Sequence, residues 1–191
     1  CGGAIFSVIN LKESDSPNLL VVNSNVFSGN RAPEGNRLCE ISIFGNLTNI
    51  DNSNALIWNN TFTGYPFPLP GQTPKTAIRA NYSVLAISHN TIRYYNRTGI
   101  ELLVSEAKIN LNNFVSNNTA AGAVYIDEYD GYTGRMINNV IFANTFTGNR
   151  SSSGAAILST ALPNENIVTT IGQNLFTGNK ASDDGGKGGA I

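Results

Sequence analysis

Ile141-Phe142-Ala143-Asn144-Thr145-Phe146-Thr147-Gly148-Asn149 decides the reading of this chain, because the same arrangement returns at Ile171-Gly172-Gln173-Asn174-Leu175-Phe176-Thr177-Gly178-Asn179. A β-branched aliphatic residue is followed three positions later by Asn, and two beyond that by a large apolar residue. Outward from these two copies the pattern recurs at Val22/Asn25/Phe27, Ile57/Asn60/Phe62, Ile87/Asn90/Ile92 and Ile109/Asn112/Phe114. Self-similarity of this kind marks a repeat architecture in which each unit buries its apolar face only against its neighbours. A further Asn follows the large apolar residue by three in four copies, at Asn30, Asn117, Asn149 and Asn179, while Tyr65 and Tyr95 take that place in the other two.

Side chains two apart on a strand share a face, so each Asn and its following Phe are expected to point inward together. Parallel stacking sets equivalent residues about 4.8 Å apart, close enough for amide to bond amide and ring to stack on ring. Asn also tolerates the left-handed backbone of a sharp corner. A second anchor, small residue then aliphatic, recurs as Gly2-Gly3-Ala4-Ile5, Ala77-Ile78, Gly122-Ala123-Val124, Gly154-Ala155-Ala156-Ile157 and Gly188-Gly189-Ala190-Ile191. Leu38-Cys39-Glu40-Ile41 and Gly99-Ile100-Glu101-Leu102 stand in the corresponding places and predict corners of a different shape.

Successive large apolar anchors are 35, 30, 22, 32 and 30 residues apart. The shortest interval gives the bare unit: at roughly 3.3 Å per residue it makes a perimeter of about 73 Å, enough for three short strands with corners. Longer intervals carry polar or Pro-rich insertions at 31–35, 45–53, 65–74, 127–134, 159–166 and 180–187. The fold predicted is all-β: a right-handed single-stranded parallel β-helix of about six coils, one domain over residues 1–191.

The alternation of Gly-Gly-Ala-Ile (residues 2–5 and 188–191) with Phe-x-x-Asn (from Phe27, Phe114, Phe146 and Phe176) resembles the tandem motifs of chlamydial polymorphic outer-membrane proteins and related autotransporter-like adhesins. The resemblance spans nearly the whole chain. It implies a parallel β-helix at a cell surface, with roles in adhesion.

Composition limits the function classes. Charged residues make up 13% and the net charge is −1. The twelve Lys and Arg form no basic stripe, so no nucleic-acid partner is expected. No apolar run approaches the roughly 18 residues of a transmembrane segment. Cys1 and Cys39 leave two readings open. Aligning Ile5 with Ile41 sets Cys39 level with Gly3, a spacing suited to a diagonal disulfide, and the alternative is two small buried thiols. Six Asn-x-Ser/Thr sequons occur. Asn117 and Asn149 sit in the repeated Phe-x-x-Asn place, whereas Asn46, Asn59, Asn81 and Asn96 lie off the inward ladder and are the glycosylation candidates.

Catalytic and metal residues are not expected, nor is a cofactor. Asp127, Glu128 and Asp130, with Arg135 beyond them, and Asp183 with Asp184, read as solvated loop acids rather than a Ca²⁺ or polysaccharide-cleaving centre. His89 reads as a surface residue of a strand. The function expected is a non-catalytic extracellular building block of a surface fibre. Ala4 and Ala190 share one phase of the repeat, which predicts a rod, either as a repeat unit or excerpt of a longer array or by head-to-tail self-association of identical subunits into a filament. An adhesin passenger domain binding glycans or a host surface protein is the second reading, favoured by Tyr94, Tyr95, Tyr129 and Tyr132 as exposed aromatics and by the loop from Tyr65 to Pro70. A pectate-lyase-like enzyme is the third.

Overall fold

The computed structural model describes residues 5–8, 18–30, 38–45, 50–65, 75–119, 121–127, 136–160, 166–181 and 188–191. It is all-β, built from parallel sheets. The only helical element among these residues is one 3-10 turn, Ile50–Asn52.

Three sheets have six strands each. The first contains Ile5–Val8, Leu38–Phe44, Lys75–Asn81, Thr98–Leu103, Val124–Asp127 and Ile157–Thr160, hydrogen-bonded in that order. The second is Asn18–Asn23, Ser53–Trp58, Val84–Ser88, Glu106–Asn110, Ile137–Phe142 and Ile167–Gly172. The third is Val26–Ser28, Thr61–Thr63, Thr91–Arg93, Asn113–Val115, Thr145–Thr147 and Leu175–Thr177. Three two-residue strands, Asn118–Thr119, Arg150–Ser151 and Lys180–Ala181, make a fourth. Each repeat thus gives one strand to each of the three large sheets before the chain returns to the first.

Register follows the sequence anchors residue for residue. Val22 pairs with Ile57, Ile57 with Ile87, Ile87 with Ile109, Ile109 with Ile141 and Ile141 with Ile171. Phe27, Phe62, Ile92, Phe114, Phe146 and Phe176 are likewise paired in series. In the first sheet Ile5, Ile41, Ile78, Ile100, Val124 and Ile157 align. The period of two explains the burial: along Ser53–Trp58 alternate residues are buried, and one apolar cluster draws on all three large sheets. Rings stack at 4.8 Å (Phe27 on Phe62), 4.6 Å (Phe114 on Phe146) and 5.2 Å (Phe146 on Phe176), within 9° of parallel. That spacing is the strand spacing itself, so one residue type at one phase fills the core at every level.

The corners differ from expectation in one respect. The left-handed residue is not the ladder Asn but the one before it: Ser24, Asn59, His89, Leu111, Ala143 and Gln173 all have φ between 53° and 57°. The Asn itself supplies hydrogen bonds. Asn144 Nδ2 donates to the Ile109 carbonyl at 2.9 Å and to Asn174 Oδ1 at 3.0 Å, and its backbone N–H also donates to Asn174 Oδ1 at 2.8 Å. Its own Oδ1 accepts the backbone and amide N–H of Asn112. One side chain therefore satisfies polar backbone on the preceding level and, through the Phe142 carbonyl at 3.1 Å, on its own, which offsets a left-handed residue costing about 1–2 kcal/mol. The variable residue before it needs only to tolerate φ > 0 while facing solvent, which places His89 in a corner rather than on a strand.

Small residues in the return corner have a steric cause. Gly122 has φ of 80°, and a Cβ on it would lie 2.5 Å from the Gly154 carbonyl oxygen. Residues 31–35, 46–49, 66–74, 128–134, 161–165 and 182–187, within the expected insertions, lie outside the described residues. The end of one is ordered into the fold: Ile50 is buried with Val104 and Ile137, and Ser53 opens a strand.

Candidate functional site

Two polar clusters occupy the places where the repeat changes residue type. The first is internal, at the return corner where Tyr65 and Tyr95 replace the second Asn. Asn117, Asn149 and Asn179 form a ladder there, each Oδ1 accepting from the level before: Tyr95 N–H donates to Asn117 at 3.0 Å and Asn117 Nδ2 to Asn149 at 2.9 Å. Below Tyr95 no amide continues it. Instead Glu40, in the Leu38–Phe44 strand, is fully buried and contacts Lys75, 2% exposed, through Oε1 to Nζ at 2.5 Å. Asn30 donates Nδ2 to Glu40 Oε2 at 2.5 Å, and Tyr95 donates its hydroxyl to Oε1 at 3.4 Å. The Tyr65 and Tyr95 rings lie 5.0 and 5.8 Å from the ammonium. Burial first, and then the charge of Glu40, push the Tyr95 phenol well up.

Tyr95, expected on the surface, is thus fully buried, because it fills the interior volume that an Asn occupies on other levels. Tyr94 and Tyr65 are half-buried, and Tyr129, Tyr132 and Pro66 to Pro70 lie outside the described residues. Asn30 also departs from its expected ladder role, since it bonds a carboxylate instead of another Asn.

The second cluster is external, on the outward row of the first sheet, where Ser42, Arg79, Glu101, Tyr125 and Leu158 are in register. Glu101 is only 3% exposed although it points away from the core. Arg97 covers it, with Nη2 donating to Oε1 at 3.2 Å, and Arg79 Nε lies 3.8 Å from Oε2. Tyr125 donates its hydroxyl to Asp127 at 2.7 Å, and Thr160 donates to the other oxygen at 2.6 Å. Burial, and then the hydrogen bond to Asp127, raise the Tyr125 phenol. Arg97, Thr98, Glu101, Ala121 and Tyr125 line an open concavity of about 250 Å³. A guanidinium, a carboxylate and an aromatic edge in one groove can hydrogen-bond and stack a polar ring. The sequence carried a signal for it: Glu101 and Glu40 are the two acids in the atypical corners.

Other candidates are placed as follows. Cys39 is buried, which pushes its thiol up to about 11, and Cys1 lies outside the described residues. Asn59 is exposed, Asn81 half-buried, and half-buried Asn96 accepts the Lys75 backbone N–H through Oδ1 at 2.6 Å. Asn46 lies outside the described residues, and Asn117 and Asn149 are fully buried. Glu128, Asp130, Arg135, Asp183 and Asp184 are also outside them. Among the described residues no three His, Cys, Asp or Glu side chains converge as a metal site, and no helix is long and apolar enough to cross a membrane. No protein-family model, curated protein or solved structure matches this chain.

Proposed function

We propose that the chain winds as a right-handed single-stranded parallel β-helix of about six coils and serves, without catalysis, as an extracellular or cell-surface rod element. The resemblance to chlamydial polymorphic outer-membrane proteins implies the β-helix and the cell surface, and the uniform repeat supports the rod. The observation that carries it is the unbroken amide ladder from Asn25 through Asn60, Asn90, Asn112 and Asn144 to Asn174, in which every repeat completes its hydrogen bonds on the next. Such repeats have no stable form alone, so the natural product of the sequence is length. On this reading identical rods associate head to tail, one continuing the amide ladder and ring stack of the other. Electron microscopy of the isolated chain at micromolar concentration tests this. Filaments with strands across the axis support it, and compact monomers alone overturn the assembly. A left-handed winding in an experimental density map overturns the fold.

The Arg97/Glu101/Tyr125 groove favours the adhesin as the second reading, with a glycan or a host surface protein as ligand. Glycan-array and host-cell binding should fall on Tyr125→Ala while filament formation is kept. Equal binding by both chains removes this reading and leaves the first intact.

A further inference from the structure

The buried corner brings together three groups whose joint chemistry goes beyond charge pairing. Lys75 Nζ is an amine, the Asn30 side chain is a carboxamide, and the two are held on opposite oxygens of one carboxyl, that of Glu40. Glu40 and Lys75 are buried, and Nζ makes its ion contact with no hydrogen bond besides. Two Tyr rings cover the amine. An amine that gives a proton to the carboxyl it already touches becomes a nucleophile, and the carboxamide sits on the other oxygen of that carboxyl.

We propose that Lys75 and Asn30 join in an intramolecular amide bond, formed by the chain itself with Glu40 as the proton carrier. Nζ passes a proton to Glu40 Oε1 and attacks Asn30 Cγ. The new Nζ–Cγ bond forms, the Cγ–Nδ2 bond breaks, and Glu40 hands that proton and the second one that Nζ gives up to Nδ2 through Oε2. The nitrogen leaves as ammonium, so the chain loses the mass of one ammonia. No oxidant, metal or cofactor enters the balance, and the carboxyl ends as it began. Proximity supplies the acceleration that an unactivated amide needs, since both reactants already touch the catalytic group.

The bond would staple the first repeat to the third, because Asn30 follows Val26–Ser28 and Lys75 opens the first-sheet strand two repeats on. It would lie where Tyr65 and Tyr95 interrupt the stacking of like residues. The inference stands on the three side chains alone and holds whether or not the rod forms filaments.

Intact-mass spectrometry of the purified full chain tests it. The expected result is a mass one ammonia below that of the sequence, a tandem spectrum in which the peptides bearing Asn30 and Lys75 are linked, and the full sequence mass for Glu40→Gln and for Lys75→Met. Circular dichroism should show both variants folded, with lower melting temperatures. The full sequence mass in the unaltered chain overturns the proposal. So does an ammonia loss that persists in Lys75→Met, which would be succinimide formation at an Asn elsewhere.

Discussion

The corner at Asn112 and Asn144 and the corner at Glu40, Lys75 and Tyr95 solve one problem in two ways. Where the repeat is kept, a single residue type satisfies backbone groups above and below, and no charge is needed. Where Tyr65 and Tyr95 stand in place of Asn, the ring fills the volume but offers no amide. An acid, a lysine and the side chains of Asn30 and Asn96 then take over the polar contacts. Identity between levels is thus a way of keeping a polar interior simple, and loss of identity concentrates chemistry in one place.

The strongest way to break this comparison is to empty each corner in turn. Phe146→Ala in the regular region should cost about 3–5 kcal/mol, because the ring is sandwiched between Phe114 and Phe176 and leaves a cavity. A loss below about 1 kcal/mol in urea unfolding would contradict the register. Glu40→Ala should cost about as much, roughly 3–5 kcal/mol, by leaving the Lys75 charge buried without its partner. A near-neutral Glu40→Ala would show that water reaches that corner.

Asn144→Leu sharpens the contrast on the regular side. It keeps the volume but orphans the groups bonded to the amide, and it should cost roughly 1–3 kcal/mol in the same assay. Asn174→Leu, half-buried at the last described level, should cost less.

The irregular corner should also respond to alkali. The unfolded chain releases the Tyr95 proton near the ordinary value of 10.0, whereas the folded chain holds it to higher pH. Stability from this group is therefore whole below about 10 and declines as pH rises above it, by up to about 1.4 kcal/mol per unit. Denaturation midpoints of Tyr95→Phe should fall less over that range, and an equal fall would assign the effect elsewhere. The smallest effect expected is at Asn59, whose exposed side chain should accept a glycan in a eukaryotic secretory host with little change in stability, while buried Asn117 and Asn149 stay unmodified. Glycopeptide mass spectrometry reads all three, and occupancy of Asn117 would mean that its corner opens.

How much of this was legible beforehand follows from the same physics. Residues that stack on copies of themselves must recur at the same phase, so the Val22/Asn25/Phe27 series and the small-residue corners could be read, aligned and assigned a common interior directly from the chain. The alignment of Ile5 with Ile41 was equally legible, and the register reproduces it. Contacts between unlike residues carry no such trace. Glu40 reaches Lys75 and Asn30, and Glu101 reaches Arg79 and Arg97, across intervals of unequal length, so the pairing exists only once the strands are in register. Tyr95 shows the same limit: its hydroxyl suggested the surface, and only the packing of the corner, with a carboxylate to receive that hydroxyl, put it inside. The sequence by itself determined the repeat and its interior, because stacking demands identity. The tertiary structure alone decided the two polar clusters, because buried charge is set by what lies across the corner rather than by what comes next along the chain.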